Sequence, residues 1–149
     1  MRIHIDADGC PVKAEVFRVA ARYAIPVSVV ANSGMVTPKD PNVEAVLVGS
    51  APDAADDWIV EHATAANIVV TTDIPLAARC LAKGASVLHP TGRRFTEDDI
   101  GSALATRDLL KQLRDAGETT RGPAPFCDRD RSAFLQALDA TIQKRRRAP

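Results

Sequence analysis

Ile3-His4-Ile5-Asp6-Ala7-Asp8-Gly9-Cys10-Pro11 carries the strongest fold signal in this 149-residue chain. An apolar run typical of a strand ends in two carboxylates, those of Asp6 and Asp8, and Gly9 then allows a turn. Pro11 is a favoured first residue of a helix. In open α/β sheets, ligands bind at the carboxyl ends of the strands, and two aspartates this close repel each other unless a cation or hydrogen bonds compensate. The stretch therefore predicts an α/β fold with a divalent-metal or phosphate site.

Apolar runs of strand type alternate with amphipathic helices over residues 1–90. The predicted strands are Arg2–Asp6, Val27–Ala31, Val43–Val48, Ile68–Val70 and Val87–Leu88. The first predicted helix starts at Pro11, the second at Pro52 and Asp53, and the third runs from Asp73 to a stop at Gly84. Continuously apolar strands separated by helices are typical of a parallel sheet that is covered on both faces.

The chain after Thr91 predicts further helices rather than more sheet. The run from Thr96 to Asp99 resembles a capping box, which would open a long helix to about Ala116. A final helix is predicted from Asp128 onward. We therefore expect one domain over residues 1–149, made of an α/β core at 1–90, a C-terminal helical extension at 91–144 and a basic tail at 145–149.

The composition narrows the class of protein. With 46% hydrophobic and 26% charged residues, the chain is typical of a soluble globular domain. Its three cysteines are widely spaced, so they form neither a disulfide framework nor a zinc pattern and imply a reducing compartment. No apolar run approaches the roughly 20 residues that cross a membrane. We expect a cytoplasmic protein with no membrane partner and no organic cofactor, and its oligomeric state stays open.

Acidic side chains recur at the ends of predicted strands and the starts of predicted helices. The candidate catalytic residues are Asp6, Asp8, Asp53, Asp56 and Asp73, of which Asp6, Asp8, Asp56 and Asp73 are the candidate metal ligands. Converging carboxylates are the hard oxygen ligands that Mg²⁺ and Mn²⁺ prefer. The competing interpretation is capping, because Asp53 and Asp73 suit the N-cap position and Asp56 and Asp57 suit the positive end of a helix dipole.

Candidate substrate contacts are Thr72, Arg93, Arg94, Arg107 and Lys111. Arg107 and Lys111 fall on one side of the long helix, where they predict either a solvated face or a stripe that contacts phosphates. Arg93 and Arg94 lie in a predicted loop and are surface charge by default. Thr72 follows a strand and would orient a ligand or water. The histidines and Cys10 fit structural roles better than ligand or nucleophile roles.

Four motifs resemble the bacterial YaiI/YqxD family, a family of uncharacterised function. They are Asp6-Ala7-Asp8-Gly9-Cys10-Pro11, the run from Asp53 to Ile59, the run from Thr71 to Ala77, and Asp128-Arg129-Asp130-Arg131. The family is grouped with PIN-like domains, which implies a three-layer sandwich with a central, mostly parallel sheet of about five strands, helices on both faces and, here, extra C-terminal helices. The resemblance also implies Mg²⁺- or Mn²⁺-dependent cleavage of RNA. It places the first acid of the site at Asp6, the helical acid at Asp53 or Asp56, and the last acid at Asp73.

Three functions remain open at this stage. The first is a metal-dependent ribonuclease that hydrolyses phosphodiester bonds through the aspartate cluster. The second is a non-catalytic module that binds metal, RNA or protein, which zero net charge and few aromatic residues would suit. The third is a phosphatase of haloacid-dehalogenase type, with Asp6 as nucleophile and Asp8 as general acid and base.

Overall fold

The computed structural model of the protein describes residues 1–101 and 125–147. The strands are β1 (Ile3–Asp6), β2 (Val27–Ala31), β3 (Val43–Leu47), β4 (Ile68–Val70), β5 (Ser86–Leu88) and β6 (Arg94–Phe95). The helices are α1 (Lys13–Tyr23), α2 (Ala54–His62), α3 (Ile74–Ala82) and α4 (Asp128–Arg147). Residues 97–101 are also helical. No helix among the described residues is long and apolar enough to cross a bilayer.

The six strands form one sheet in the order β3-β2-β1-β4-β5-β6. The first five run parallel, and β6 pairs antiparallel with β5 through Val87 opposite Phe95 and Leu88 opposite Arg94. The predicted parallel sheet is confirmed. The sixth strand was not predicted, because a two-residue strand is too short to show an alternating pattern.

Helices cover both faces of the sheet, as a three-layer sandwich requires. Ile3 and Ile5 of β1 pack in one core cluster with residues of α1 and α4. The opposite face packs under α2 and α3, in a second cluster that includes Val30 and Val69. Burying each large aliphatic side chain stabilises such a layer by about 1.5–3 kcal/mol.

The helix ends differ in detail from the sequence predictions. The first helix begins at Lys13 rather than at Pro11, because residues 11 and 12 form a turn. Thr96 is the N-cap of the helical turn, since its Oγ1 accepts a hydrogen bond of 3.2 Å from the Asp99 backbone, whereas the Asp99 side chain pairs with Arg93 rather than completing a capping box. Beyond residue 101, the predicted long helix and its candidate contacts Arg107 and Lys111 lie outside the described residues.

Polar contacts at both ends of α4 attach it to the core. Near its start, Arg131 pairs with the buried Glu15 of α1 at 2.6 Å. Near its end, Arg145 donates to Ser86 of β5, and the helix continues to Arg147. The helix thus includes the arginines at which the sequence predicted a basic tail.

The turn between β5 and β6 approaches the backbone of α4 at Gly92. This glycine has φ +91°, and a Cβ built there would lie 2.6 Å from the carbonyl carbon of Ala133 and 2.9 Å from the nitrogen of Phe134. Both the positive φ and the close backbone exclude a side chain. The extension after Thr91 is therefore packed against the sheet through a position that only glycine fits.

We expect Gly92→Ala to lower the free energy of unfolding by about 2 kcal/mol or more, because the backbone of α4 must move away. Gly34→Ala is the matched control, since nothing lies within 4 Å of its added Cβ and no positive φ is involved. Urea denaturation of both variants measures the difference. A Gly92→Ala protein as stable as the control would contradict this packing.

Candidate functional site

The carboxyl ends of β1 and β4 lie side by side, and the chain leaves them toward opposite faces of the sheet. After β1 the chain enters α1 on the face of Ile3 and Ile5, whereas after β4 it enters α3 on the other face. Such a reversal of winding opens a crevice where ligands bind in doubly wound sheets. A cavity of about 410 Å³ lies at this edge. It is lined by Asp6, Asp8, Asn32, Pro52, Ala55, Asp56, Thr72, Asp73, Ile74 and Pro75.

Asp6, the last residue of β1, is held in place from the neighbouring strand. Its side chain is only 9% exposed, and its Oδ2 accepts a hydrogen bond of 2.9 Å from Thr71 Oγ1. The same threonine oxygen accepts a bond of 3.0 Å from the backbone N–H of Asp73. Burial raises the pKa of Asp6, the Thr71 hydrogen bond opposes this, and the charges of Asp8 and Asp73 raise it further. The fold thus buries this carboxylate at a cost in free energy, and the hydrogen bond from Thr71 fixes its orientation.

Asp73 combines the two roles that the sequence left open. It is the N-cap of α3, where its Oδ1 accepts a bond of 2.9 Å from the backbone N–H of Leu76. It also lines the cavity with Asp6 and Asp56. Capping and a site role are therefore compatible for this residue.

Asp56 lies in the first turn of α2, where burial and the charges of the other acids change its pKa. Burial raises its pKa to about 6, and the charges of Asp73, Asp6 and Asp53 raise it in that order, while Arg79 lowers it. Asp6 and Asp73 belong to other elements than Asp56. Three separate segments therefore place negative charge around one cavity.

Asp53 and Asp57 lie outside the cavity lining. Asp53 occupies the N-cap position of α2 but makes no capping hydrogen bond, and its side chain is exposed. Asp57 pairs with Arg79 of α3 at 3.0 Å on the exposed side. Of the acids in this helix, only Asp56 is brought to the candidate site.

The rim of the cavity carries exposed polar groups. Asp8, a candidate metal ligand, and Thr72, a candidate substrate contact, are both exposed and line the cavity. Asn32 also lines it and was missed by the sequence reasoning. A signal was available, because Asn32 is the first residue after β2 and the carboxyl end of β2 lies beside that of β1.

The predicted basic contacts are not part of this cavity among the described residues. Arg93 pairs with Asp99 at 3.7 Å. Arg94, in β6, lines a different cavity together with Ser86 and Arg145. None of the described residues that line the acidic cavity is basic.

The donor set suits a hydrated hard cation better than a closed protein cage. In residues 1–101 and 125–147, no three His, Cys, Asp or Glu side chains are close enough together to hold a metal ion. Mg²⁺ is commonly bound through one or two carboxylates and several retained waters. Asp6, Asp8, Asp56 and Asp73, with the amide oxygen of Asn32, supply donors of that kind.

Burial favours structural roles for His4 and Cys10. His4 is buried, its Nε2 lies 3.1 Å from Asn67 Nδ2, and its ring packs edge-on against Trp58. Burial lowers the pKa of His4 to about 4, so the ring is neutral near pH 7. Burial also raises the pKa of the Cys10 thiol, which disfavours the thiolate that a nucleophile needs.

Fold and site together define the class of protein: a doubly wound α/β domain with an acidic cavity at the switch point of its sheet. The chain belongs to the uncharacterized YaiI/YqxD family, whose sequence model matches residues 4–144. It is 54% identical to a UPF0178 protein of Rhodopseudomonas palustris strain BisB18, over 99% of this chain and 95% of that protein. It is 56% identical to a UPF0178 protein of Brucella ovis, over 98% and 91%. No solved structure matches the chain significantly.

Because burial and the charges of the neighbouring acids both disfavour its ionised form, Asp56 should destabilise the metal-free protein. We expect Asp56→Asn to raise the free energy of unfolding by about 1 kcal/mol near pH 7–8, after allowance for solvent screening of this half-exposed group. A carboxyl pKa raised in the folded state costs stability above that pKa, and protonation relieves the cost as the pH falls. The gain should therefore shrink below about pH 6 and vanish near pH 4.

Urea denaturation in EDTA at several pH values measures this effect. Asp57→Asn is the matched control on the same helix, since Asp57 pairs with Arg79 outside the cavity. A gain for Asp56→Asn that does not change with pH would contradict the electrostatic cause.

Proposed function

We propose that this protein is a divalent-metal-dependent nuclease, of PIN-like type, that hydrolyses phosphodiester bonds in RNA. One observation carries the proposal: Asp6, Asp8, Asp56 and Asp73 come from three parts of the chain to one cavity at the switch point. The choice of RNA is supported by the resemblance to PIN-like domains.

The electrostatic cost of the cavity supports a cation as its ligand. Burial, and after it the charges of the other acids, raise the pKa values of Asp6 and Asp56, and no described residue in the lining is basic. Mg²⁺ or Mn²⁺ would stabilise the ionised carboxylates, held by one or two of Asp6, Asp8, Asp56 and Asp73 together with retained waters. When bound, such an ion lowers the pKa of water and stabilises negative charge on phosphate oxygens.

The protein's own residues would orient the reacting groups. Thr71 holds Asp6 by its hydroxyl and is itself held by the Asp73 backbone, so the two acids keep a fixed relation across β1 and β4. Thr72, exposed at the rim, would contact the sugar-phosphate backbone, and Asp8 beside it would contribute to the metal site. Arg93, Arg107 and Lys111 remain predicted contacts to the RNA backbone, whereas Arg94 lies in a different cavity.

Mn²⁺ should bind to the wild-type protein and support cleavage of a panel of single-stranded RNAs. We expect Asp6→Asn and Asp73→Asn each to reduce the cleavage rate by about 100-fold or more and to weaken Mn²⁺ binding by calorimetry. Asparagine is also a good N-cap, so the change at Asp73 leaves α3 capped. Asp57→Asn is the control and should cleave as the wild type does. Equal cleavage by Asp6→Asn would contradict the proposal.

A non-catalytic metal- or RNA-binding module is the second candidate function. It is favoured by the lack of a ready three-donor group in the described residues. Salt-dependent RNA binding without turnover, unaffected by Asp73→Asn, would favour it over the nuclease. The phosphatase alternative has less support, because no described lining residue is a cation that could face an aspartyl-phosphate. Trapping an acyl-phosphate on Asp6 would restore it.

Thr71 should tune the metal site without contacting the metal. We expect Thr71→Val, which keeps the shape but removes the hydroxyl, to weaken Mn²⁺ binding by about 10- to 100-fold. Thr71→Ser keeps the hydroxyl and should retain most of the affinity. Calorimetric titration of both variants distinguishes the hydrogen bond from packing. If valine and serine behave alike, Thr71 does not orient Asp6.

A further inference from the structure

A second polar cavity lies between the sheet and α4. Its volume is about 240 Å³, and its lining consists of Ser86, Arg94, Thr141, Lys144 and Arg145. Along β5, Ser86 points to the same face as Leu88, which packs in the cluster that includes residues of α1 and α4. Asp6 faces the opposite layer, since it alternates with Ile3 and Ile5. This cavity is therefore separate from the acidic one.

Arg145 is fixed in this cavity by three protein acceptors. Its Nε donates to Ser86 Oγ at 2.7 Å, its Nη2 donates to the carbonyl of Gly84 at 3.1 Å, and its Nη1 donates to the carbonyl of Ala65. Each terminal nitrogen keeps a second N–H. Partial burial and the nearby charge of Arg94 both lower the pKa of Arg145. The guanidinium is thus oriented in advance beside another cation.

The positive charges here have no acidic partner among the residues that the structure describes. The ion pairs in those residues use Arg2, Arg22, Arg79, Arg93 and Arg131. Arg94, Lys144 and Arg145 instead share one cavity that no described carboxylate lines. Crowded like charges disfavour each other unless an opposite charge lies between them. An anion would provide that charge.

The hydroxyl group of Ser86 adds a hydrogen-bond donor to the positive charges of this cavity. Its oxygen accepts from Arg145, so its own O–H is available to a ligand. Forked guanidinium groups, an ammonium and a hydroxyl suit the several oxygens of a phosphate group. The buried Thr141 does not compete, because its hydroxyl donates to the carbonyl of Ala137 at 2.7 Å.

We propose that the cavity lined by Arg94, Lys144, Arg145 and Ser86 binds a phosphate group. The group belongs either to a small phosphate ion or monoester or to the backbone of RNA, and both present the same oxygens to these donors. The site is independent of the acidic cavity and of any cleavage there.

The test uses variants that leave the anchoring bonds of Arg145 in place. Arg94→Gln and Lys144→Gln each remove one charge, and neither side chain makes a hydrogen bond to a described residue. Arg147→Gln is the matched control: this arginine lies on the same helix, outside the lining of the cavity, and its one hydrogen bond within the described part is to Gln143. All proteins are titrated by calorimetry with inorganic phosphate, in EDTA and at constant ionic strength.

We expect Arg94→Gln and Lys144→Gln each to weaken phosphate binding by about tenfold, and Arg147→Gln to leave it unchanged. A phosphate affinity equal to that of the wild type in all three variants would overturn the proposal. Phosphate binding no tighter than chloride binding would also overturn it. Asp6→Asn should bind phosphate as the wild type does, so this result does not depend on nuclease activity.

A 5′-phosphorylated RNA oligonucleotide and its 5′-hydroxyl counterpart distinguish the two sources of phosphate. Preference for the phosphorylated oligonucleotide, lost in Lys144→Gln, supports a monoester ligand. Equal binding of the two, weakened in the same variant, supports the RNA backbone. If Lys144→Gln changes the binding of neither oligonucleotide, an RNA source of the phosphate group is excluded. The proposal then rests on the binding of inorganic phosphate alone.

Discussion

The site depends on the place of β1 in the sheet, where the winding of the chain reverses between β1 and its neighbour β4. This strand pairs in parallel with β2 on one side and β4 on the other. Because the chain leaves β1 and β4 toward opposite faces, no connection covers their carboxyl ends. The hydrogen bond from Thr71 to Asp6 crosses this boundary and joins the two strands where they end. The strand order therefore accounts for the cavity, and the residues at the strand and helix ends make it acidic.

The same hydrogen bonds serve the fold and the site. Asp73 caps α3 through Leu76, and its backbone nitrogen supports Thr71, which supports Asp6. A carboxylate that only capped a helix would not need a buried aspartate nearby. The arrangement thus secures the start of a helix and, with the same groups, gathers charge that the fold alone does not require.

Elements with strong local signals could be predicted from the sequence. The apolar strand β1, the capping aspartate Asp73 and the inward residues of α4, such as Phe134, each follow from short-range patterns. The strand β6 could not, because its two residues are held by pairing with β5 rather than by their own pattern.

Residues of the site that depend on distant contacts were harder to predict than its acids. Asn32 lines the cavity only because β2 lies next to β1, which is a fact of strand order. Arg94 was predicted as a contact to substrate at the acidic site, but its place in β6 puts it in the cavity of Arg145. Charge type was readable from the sequence, whereas the partner of each charge was set by the tertiary structure.

Charges that serve the fold can be separated from charges that do not. Arg131 pairs with the buried Glu15, and Arg79 pairs with Asp57, so opposite charges meet where helices are joined. In the acidic cavity and in the cavity of Arg145, like charges meet instead, which works against stability. A chain with zero net charge could have paired these groups with each other. That it keeps acids at one site and bases at another supports both proposals, a cation for the acidic cavity and an anion for the basic one.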